Sequence, residues 1–472
     1  MSATAIRGPL GGKSLGEVRP AGVEEVARAV GRARAALPAW RSTPLAERAD
    51  LLEAAADLLW PEREELGRLL AAESGKPLAQ AQFEVRVSID FMRANARVGR
   101  RVGGEVLPTE GQHGTETDLA FTRREPLGVV AAILPFNFPV ELFVEKCAAA
   151  LVGGNVVVCK APEEDPLVVA RFHAALVQAG VPADALALVH GGREVGAALA
   201  GDERVDAISL TGSTGAGIAV AQAAAPRLRR LHLELGGNNA AIVLPDADLD
   251  LVERELVYGR LLMNGQACSA SKRILVDRTL HDELAERLAA AVARQVVGPA
   301  TDAATTVGPL VSAAAAERVA DQVARAVAEG ATLVAGASAA DGAYFAPVLL
   351  AGTPPSAAVA RDEEIFGPTF VLVPVDGVRE AVEVANGSSF GLMASVFTAD
   401  MQLALATAER LDAGGVVING TDNYRPPIIP FGGTKLSGAG REGLGYTLHE
   451  LTREKTIVLR RFRAPRPELE GL

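Results

Sequence analysis

Short apolar runs alternate with helix-like stretches through the first half of the chain, and this alternation restricts the possible folds more than any other feature. The runs that predict buried strands lie at residues 129–134, 155–159, 185–189 and 206–210. Apolar residues recur at helical spacing in the stretches 139–151 and 216–225. Alternation of buried strands with helices is typical of a doubly wound parallel sheet. We therefore predict an α/β fold.

The second half of the chain repeats this rhythm with strand-like runs of its own, at residues 240–244, 272–276, 370–375 and 415–419. Residues 23–99 have mostly helical spacing, and the run 455–462 predicts a strand near the C-terminus. The chain has 472 residues, about three times the usual domain size. We predict two doubly wound α/β lobes with a cleft between them.

The charge and the cysteine content exclude several classes of function. The chain has 47 Lys and Arg residues against 58 Asp and Glu, a net charge of −11, whereas a phosphate backbone requires a basic surface. We therefore expect no nucleic-acid partner. Cys147, Cys159 and Cys268 are too few for a disulfide framework and lack the spacing of metal ligands, so we expect a reducing compartment and no metal site. We recognise no signal peptide and no membrane span, and expect a cytoplasmic location.

Two segments at the ends of predicted strands have the residues of a nucleotide site. The glycine-rich turn 211–217 lies between a strand and a helix, where backbone N–H groups can approach a phosphate. Its spacing differs from the usual dinucleotide fingerprint, and a structural turn is the alternative. Lys160 and Glu163 follow the run 155–159, at the edge where doubly wound sheets bind ligands. The alternative for these two residues is a solvated turn.

Three polar residues have surroundings that favour chemistry. Cys268 lies among small and polar residues, unlike the other two cysteines, and is either a nucleophile or an inert core residue. Glu234 is flanked by leucines, so burial would raise its pKa towards that of a general base, and a buried ion pair is the alternative. Asn137 offers an amide donor between two prolines, or is an ordinary turn residue.

Several motifs together resemble the NAD(P)-dependent aldehyde dehydrogenases over nearly the whole chain. In chain order they are LPFNFP around Asn137, CKAPEE around Lys160, LTGSTGAG around Gly212, LELGG around Glu234, GQACSA around Cys268, EEIFGP around Glu364 and PFGGTKLSGAGREG at 430–443. A chance match of the whole set in this order is negligible. The resemblance therefore favours the functional interpretation of each residue above.

The resemblance implies a catalytic role for four residues. Cys268 would be the nucleophile that forms a thiohemiacetal and then a thioester, and Asn137 with the Cys268 backbone N–H would bind the oxyanion. Glu234 would activate the water that hydrolyses the thioester, and Lys146 matches a lysine common near the active site. Relatives that transfer the acyl group to CoA generally have another residue in place of Glu234, so a free carboxylic acid is the expected product.

The resemblance also implies a cofactor site. Lys160 and Glu163 would bind the adenosine ribose, and Glu163 favours NAD over NADP, although NADP is possible. The other residues expected to bind the cofactor are Phe136, Gly212, Ser213, Gly217, Leu235, Gly236, Glu364 and Phe366. Phe136 stands where Trp is commoner in the family.

The aldehyde tunnel expected from the resemblance includes Phe138, Leu142 and Arg425. A guanidinium can bind a carboxylate, phosphate or phosphonate in bidentate fashion, so Arg425 favours a short aldehyde with a polar or acidic tail. Ala267 opposes this interpretation, because phosphate-handling relatives tend to have Arg at that position. The carboxylate of Glu141 or Glu145 also opposes it, since it would repel an anion unless it points away from Arg425. The alternatives are a broad-specificity neutral aliphatic aldehyde dehydrogenase, an acylating reductase, and a cofactor-binding protein without catalysis.

The resemblance implies three parts of the chain. They are a cofactor-binding domain at 1–107 and 127–236, a catalytic domain at 237–436, and a small β oligomerisation element at 108–126 and 437–472. We expect a homodimer or a homotetramer in which the last element extends a sheet between subunits.

Overall fold

A computed structural model describes residues 2–463. The first lobe is built on a six-stranded sheet, in spatial order Gly438–Ala439, Arg230–Glu234, Ala207–Thr211, Val129–Ile133, Val156–Lys160 and Leu186–Val189. All neighbours are parallel except the first pair. The central strands are buried at every position because helices cover both faces.

The helices of this lobe are Val23–Ser42, Leu45–Leu59, Arg63–Ser74, Leu78–Gly99, Pro139–Phe143, Ala149–Val152, Pro166–Gln178, Arg193–Gly201 and Thr214–Ala224. The predicted helical region at 23–99 is confirmed. A π-helical turn, Val144–Ala148, joins Pro139–Phe143 to Ala149–Val152. Such single π-turns are frequent at functional sites, and this one carries Glu145 and Lys146.

The second lobe has a seven-stranded sheet, in spatial order Thr332–Ala335, Val348–Ala351, Thr369–Val375, Arg273–Asp277, Ala240–Val243, Met393–Phe397 and Gly415–Ile418. Only Thr332–Ala335 is antiparallel to its neighbour. Its helices are Leu249–Leu261, His281–Ala293, Ala313–Ala328, Ala358–Arg361, Gly377–Asn386 and Met401–Ala408. The predicted pair of α/β lobes is confirmed.

Three short antiparallel elements complete the fold. Strand Thr452–Leu459 pairs with Leu119–Pro126, which also pairs with Val106–Leu107. The other two are the hairpin Thr4–Gly8 and Gly11–Val18 and the pair Phe390–Gly391 and Thr434–Lys435, and the short helix Tyr446–Glu450 precedes the last strand. Residues 464–472 of the predicted oligomerisation element, and residue 1 of the predicted cofactor-binding domain, lie outside the described residues. The domain limits and the role in oligomerisation stay predictions.

The hydrophobic cores follow the two sheets. One large cluster lies almost entirely between Ala21 and Leu235, and two further clusters lie between Ala240 and Val416. Within residues 2–463, no helix combines the length and the apolar character needed to cross a membrane. The loops at the carboxyl ends of the parallel strands therefore belong to two lobes that have separate hydrophobic cores.

Candidate active site

Asn137 lies in the turn that follows strand Val129–Ile133, and its side chain is buried. Its Oδ1 accepts from the backbone N–H of Phe138 at 3.1 Å, and its Nδ2 donates to the carbonyl oxygen of Gln266 at 3.0 Å. The amide carries two N–H groups, so one remains without an acceptor among residues 2–463. Asn137 is thereby fixed against the loop that carries Cys268.

The loop that carries Cys268 is held by side-chain hydrogen bonds to its carbonyl groups. The carbonyl oxygen of Cys268 accepts from Asn239 Nδ2 at 2.8 Å and from Lys272 Nζ at 2.7 Å. Upstream, Met263 and Asn264 have φ angles of 52° and 57°, in the left-handed region. The backbone N–H of Cys268 donates to no acceptor within the described chain. It is therefore free to bind a ligand oxygen.

Cys268 as a residue is partly exposed, whereas Cys147 and Cys159 are buried. Its side chain packs against Leu392, Met393 and Phe431. Burial, with the charge of Glu234 as a second cause, raises the pKa of the Cys268 thiol to about 12. The thiol is therefore protonated at neutral pH, and its activation requires a proton acceptor.

Glu234 is the last residue of strand Arg230–Glu234, and the residue is 2% exposed. Neither carboxylate oxygen has a hydrogen-bond partner among residues 2–463. Burial, and after it the charge of Glu442, raises the pKa of Glu234 well above its usual value. The ion pair that the sequence left open as an alternative is not formed within the described residues. The carboxyl group is therefore free to exchange a proton with a bound water or thiol.

A buried ionic cluster lies beside Glu234. Lys146 Nζ is 2.6 Å from one carboxylate oxygen of Glu442, and Arg425 Nη2 is 2.6 Å from the other. The same Arg425 nitrogen is 3.7 Å from Glu145. Although burial opposes them, Lys146 and Arg425 hold the pKa of Glu442 at about 2, whereas burial raises the pKa of Glu145 to about 7. Two cations thus face three carboxylates.

The three residues predicted to bind substrate differ in their surroundings. The ring of Phe138 faces Lys76 Nζ, 3.9 Å from the ring centroid. Leu142 is packed in the core of the first lobe, so its place in a tunnel stays a prediction. The Arg425 side chain is 18% exposed and stacks over Phe431 at 4.1 Å. Glu145 does not point away from Arg425. The carboxylates of Glu145 and Glu442 therefore already pair with the guanidinium that was predicted to bind an anionic substrate.

The predicted phosphate turn caps a helix. Ser213 is the N-cap of helix Thr214–Ala224, and its Oγ accepts from the backbone N–H of Ala216 at 3.3 Å. A Cβ at Gly217 would lie 2.5 Å from a methyl group of Leu235, so only glycine lets the helix approach that side chain. The backbone N–H of Gly212 donates to the carbonyl oxygen of Glu234 at 3.0 Å. The structure thus brings together four predicted cofactor residues, Gly212, Ser213, Gly217 and Leu235.

Four more of the residues predicted to bind the cofactor lie close together in pairs, Glu364 with Gly236 and Phe136 with Phe366. Glu364 Oε1 forms an ion pair with Lys272 Nζ at 2.9 Å and accepts from the backbone N–H of Gly237 at 3.2 Å. A Cβ at Gly236 would lie 2.4 Å from Glu364 Oε2, so a larger residue there would displace the Glu364 carboxylate. Phe136 and Phe366 stack edge to face, with centroids 6.0 Å apart.

Lys160 and Glu163 lie at the end of strand Val156–Lys160. Lys160 is buried, so the solvated turn left open by the sequence does not describe it. Burial lowers its pKa, and the charges of Glu163 and Glu194 oppose this. A Cβ at Gly192, the N-cap of helix Arg193–Gly201, would lie 2.8 Å from a carboxylate oxygen of Glu163. An acidic group therefore faces the predicted ribose position.

A comparison with protein families identifies the chain. The model of the Aldehyde dehydrogenase family matches residues 2–457. The chain belongs to the aldehyde dehydrogenase family. Among its relatives, the glutarate-semialdehyde dehydrogenase of Pseudomonas putida is 35% identical, over 96% of this chain and 94% of the relative. The 3-sulfolactaldehyde dehydrogenase of Priestia megaterium is 36% identical, over 94% and 92%.

Experimental structures agree with this assignment. The NADP-dependent glyceraldehyde-3-phosphate dehydrogenase from Bacillus halodurans, complexed with NADP, matches with a TM-score of 0.93 at 36% identity, over 97% of this chain and 96% of that one. A second NADP complex, a glyceraldehyde-3-phosphate dehydrogenase from Methanocaldococcus jannaschii, matches with a TM-score of 0.91 at 34% identity, over 97% and 98%. The predicted family, fold and enzyme class are confirmed, and the roles of the individual residues stay predictions.

Two charged residues of this site were not predicted from the sequence. Glu442 lies inside the quoted motif at 430–443, where its position before Gly443 was the available signal. Lys272 lies four residues after Cys268, and nothing in the pattern distinguishes it from a surface lysine. The structure buries both and places each on a predicted site residue, Lys146 and Glu364 respectively.

The raised thiol pKa predicts how Cys268 reacts with iodoacetamide in the absence of substrate. Because only the thiolate is alkylated, the rate constant should increase about tenfold per pH unit and should not level off below about pH 10. The rate is measured by mass spectrometry of the Cys268 peptide. A plateau near pH 8 would mean that the folded protein does not raise the thiol pKa.

Proposed function

We propose that this enzyme oxidises a short aldehyde with a polar or acidic tail to the carboxylic acid, using NAD(P)⁺ and a thioester on Cys268. One observation carries the proposal. The Asn137 amide is bonded to the loop that carries Cys268, the Glu234 charge acts on the Cys268 thiol, and neither Glu234 carboxylate oxygen has a hydrogen-bond partner among residues 2–463. The aldehyde, water and NAD(P)⁺ are consumed, and the acid, NAD(P)H and one proton are produced.

The first step forms the bond between Cys268 Sγ and the aldehyde carbon. The thiol proton leaves to Glu234 or to water, because the thiol pKa of about 12 leaves little thiolate at neutral pH. The carbonyl oxygen becomes an oxyanion, and the free N–H groups of Cys268 and Asn137 are placed to bind it. Loss of one such donor typically costs about 3 kcal/mol of transition-state stabilisation.

Residues of both lobes fit a nicotinamide dinucleotide. The helix N-terminus at Ser213 suits the pyrophosphate, and Lys160 with Glu163 would hold the ribose. Glu364, Gly236, Phe136 and Phe366 would hold the nicotinamide half. When bound, NAD(P)⁺ supplies the hydride acceptor that turns the thiohemiacetal into a thioester. The carboxylates of Glu163 and Glu194 disfavour a 2′-phosphate, so we propose NAD over NADP.

Hydrolysis of the thioester then regenerates the thiol. Glu234 removes a proton from water, the hydroxide adds to the thioester carbon, the bond from carbon to Sγ breaks, and the departing thiolate takes a proton from Glu234 or from water. Because the pKa of Glu234 is raised, the fraction in the carboxylate form increases with pH. Lys146 and Glu442 neutralise each other beside Glu234, and we propose that they keep its surroundings from becoming more negative.

The proposed tail specificity rests on Arg425 and on the relatives. Among residues 2–463, Arg425 donates one hydrogen bond, from Nη2 to Glu442, so its Nε and Nη1 have no hydrogen-bond acceptor there. These nitrogens are available to an anionic or polar tail. Two relatives are named for the acidic aldehydes glutarate semialdehyde and 3-sulfolactaldehyde.

The test is a panel of short aldehydes that are neutral, carboxylated, sulfonated, phosphorylated or phosphonylated, assayed with NAD⁺ and with NADP⁺ in the absence of CoA. Formation of NAD(P)H is followed, and the acid product is identified by chromatography. We expect the highest kcat/KM for an acidic member. Equal values for neutral and acidic aldehydes would overturn the tail specificity, and turnover that requires CoA would overturn hydrolysis by Glu234.

Arg425→Ala should raise the KM of acidic aldehydes at least about tenfold more than that of neutral aldehydes of equal length, because one charge-assisted contact is lost. The substitution also leaves Glu442 and Glu145 less neutralised, so kcat is expected to fall for every substrate. Arg425→Lys, which keeps the charge without the fork of donors, is the matched control. An equal change in KM for both classes would restrict Arg425 to its ion pairs.

We propose the predicted domain limits and assembly for the same enzyme. The cofactor-binding domain comprises 1–107 and 127–236, and the catalytic domain comprises 237–436. The segments 108–126 and 437–472 form the oligomerisation element of a homodimer or homotetramer. The edge strand Thr452–Leu459, with Val458 52% exposed, supports this proposal.

A further inference from the structure

The turn between helices Arg63–Ser74 and Leu78–Gly99 contacts both loops of the active site. We propose that Gly75 and Lys76 in this turn fix the position of Asn137 relative to Cys268, so that Lys76 is a positioning residue for the oxyanion. The inference rests on the proposed function, because it assigns a role in the acylation step.

Lys76 holds the Asn137 side of the site. Its side chain has no exposed surface, and its Nζ donates to the backbone carbonyl oxygen of Asn137 at 2.7 Å. The same ammonium contacts the carboxylate of Glu84 and the face of the Phe138 ring. The Lys76 ammonium therefore makes two of its contacts with the loop that carries Asn137, and the third with Glu84 beside that loop.

Glu84 holds the same loop from its other end. It is buried, and its Oε1 accepts from the backbone N–H groups of Val140 and Glu141 at 3.2 and 3.4 Å. These N–H groups belong to the first turn of helix Pro139–Phe143, which has no side-chain cap of its own. The pair of Lys76 and Glu84 thus fixes the Asn137 carbonyl group and the segment that follows it, up to Glu141.

Gly75 holds the Cys268 side of the site. Its carbonyl oxygen accepts from Asn264 Nδ2 at 2.8 Å, and the same amide donates to Pro309 O at 2.9 Å. Asn264 Oδ1 accepts from the backbone N–H of Gly308 at 2.7 Å. Gly75 has a φ of 79°, and a Cβ there would lie 2.5 Å from the carbonyl oxygen of Pro309. The consecutive residues Gly75 and Lys76 therefore bond to two loops from different lobes, the loop before Cys268 and the loop that carries Asn137.

A lysine without solvent contact needs a reason, because burial of a charge costs several kcal/mol and an apolar pair of similar volume is often as stable. The ammonium supplies what an apolar side chain lacks, a donor to the Asn137 carbonyl. Rotation of that peptide would turn the Asn137 amide away from the oxyanion, and a displacement of about 1 Å can reduce a rate about 100-fold.

A double-mutant cycle tests this role. The readout is the rate of the first turnover of NAD(P)H formation, which reports acylation and hydride transfer. We expect Asn137→Ala to lower this rate about 100- to 1,000-fold, and Lys76→Met combined with Glu84→Gln to lower it at least about tenfold. In the Asn137→Ala background, the paired change should lower the rate less than about threefold, because the amide that it positions is absent.

Single Glu84→Gln keeps the shape of the side chain and serves if the paired variant does not fold. We expect the same loss of rate in smaller degree, again absent in the Asn137→Ala background. Glu73→Gln is the matched control, because Glu73 is equally buried and accepts from two backbone N–H groups of another helix, at Leu167 and Val168. It should lower thermal stability without changing the first-turnover rate.

Three outcomes would overturn the role of the turn: losses that multiply in the cycle, an unchanged rate in folded Glu84→Gln, or an equal loss in Glu73→Gln. These outcomes are distinct from failure of the proposed function. Substantial turnover by Cys268→Ala, or wild-type turnover that requires CoA, would contradict the proposed function itself.

Discussion

Cys268→Ala is expected to abolish aldehyde oxidation, by at least about 10⁴-fold in kcat/KM, and to leave NAD(P)⁺ affinity nearly unchanged. The bond to the aldehyde carbon forms at Sγ, and neither Cys147 nor Cys159 is exposed enough to replace it. The Cys268 side chain is not among the groups proposed to bind the cofactor. Steady-state rates and cofactor titration by fluorescence measure the two quantities.

Cys159→Ala is the matched control for this change, since it removes a buried thiol of the first lobe. It should retain turnover and lose only stability, by the amount that a small cavity costs. Substantial oxidation by the Cys268→Ala enzyme would remove Cys268 from its proposed role. Loss of cofactor affinity would show that the substitution acts on the fold of the site instead.

Glu234→Gln is expected to slow hydrolysis of the thioester about 100- to 10,000-fold while the first turnover remains. The enzyme should release one equivalent of NAD(P)H per active site in a burst and then turn over slowly. The residual rate should no longer increase with pH, because the carboxylate that gains population at high pH is absent. Stopped-flow absorbance across a pH series measures the burst and the slow phase.

The same substitution has an independent effect on stability. The folded pKa of Glu234 lies above its unfolded value of 4.5, so the group favours folding most below that pH and its contribution falls as pH increases. A glutamine side chain at this position has no charge to bury, so the Glu234→Gln enzyme should be more stable than the wild type at alkaline pH. Unaltered turnover together with unaltered stability would contradict both the role and the burial of this carboxyl group.

The architecture could be predicted because buried parallel strands are nearly continuous apolar runs, as at Val156–Lys160. Strand Arg230–Glu234 was missed because its leucines alternate with Arg, His and Glu. His232 is nevertheless buried, and its Nδ1 lies 2.9 Å from the hydroxyl of Ser209 on the neighbouring strand. Strand Met393–Phe397 was missed because small residues at its centre weaken the apolar signal. Both cases depend on neighbours that are distant in the chain.

The candidate site was predicted residue by residue, but not its charge balance. Cys268, Glu234 and Asn137 were selected by the family resemblance, because the residues around each left a structural alternative open, and their roles stay predictions. The ion pairs of Arg425 with Glu442 and Glu145 arise only when segments from both lobes fold together. Lys76 was missed because a Gly-Lys-Pro sequence has the composition of an exposed turn. The burial of a charge cannot be inferred from local composition.

The central claim is that oxidation proceeds through a thioester on Cys268, and its most direct test is the mass of the peptide that contains this residue. Glu234→Gln is mixed with an acidic aldehyde and NAD(P)⁺, quenched in acid during the slow phase, digested and analysed by tandem mass spectrometry. We predict an acyl group on Cys268, two hydrogen masses lighter than the simple aldehyde adduct. An unmodified Cys268 peptide at a time when one equivalent of NAD(P)H has formed would contradict the account.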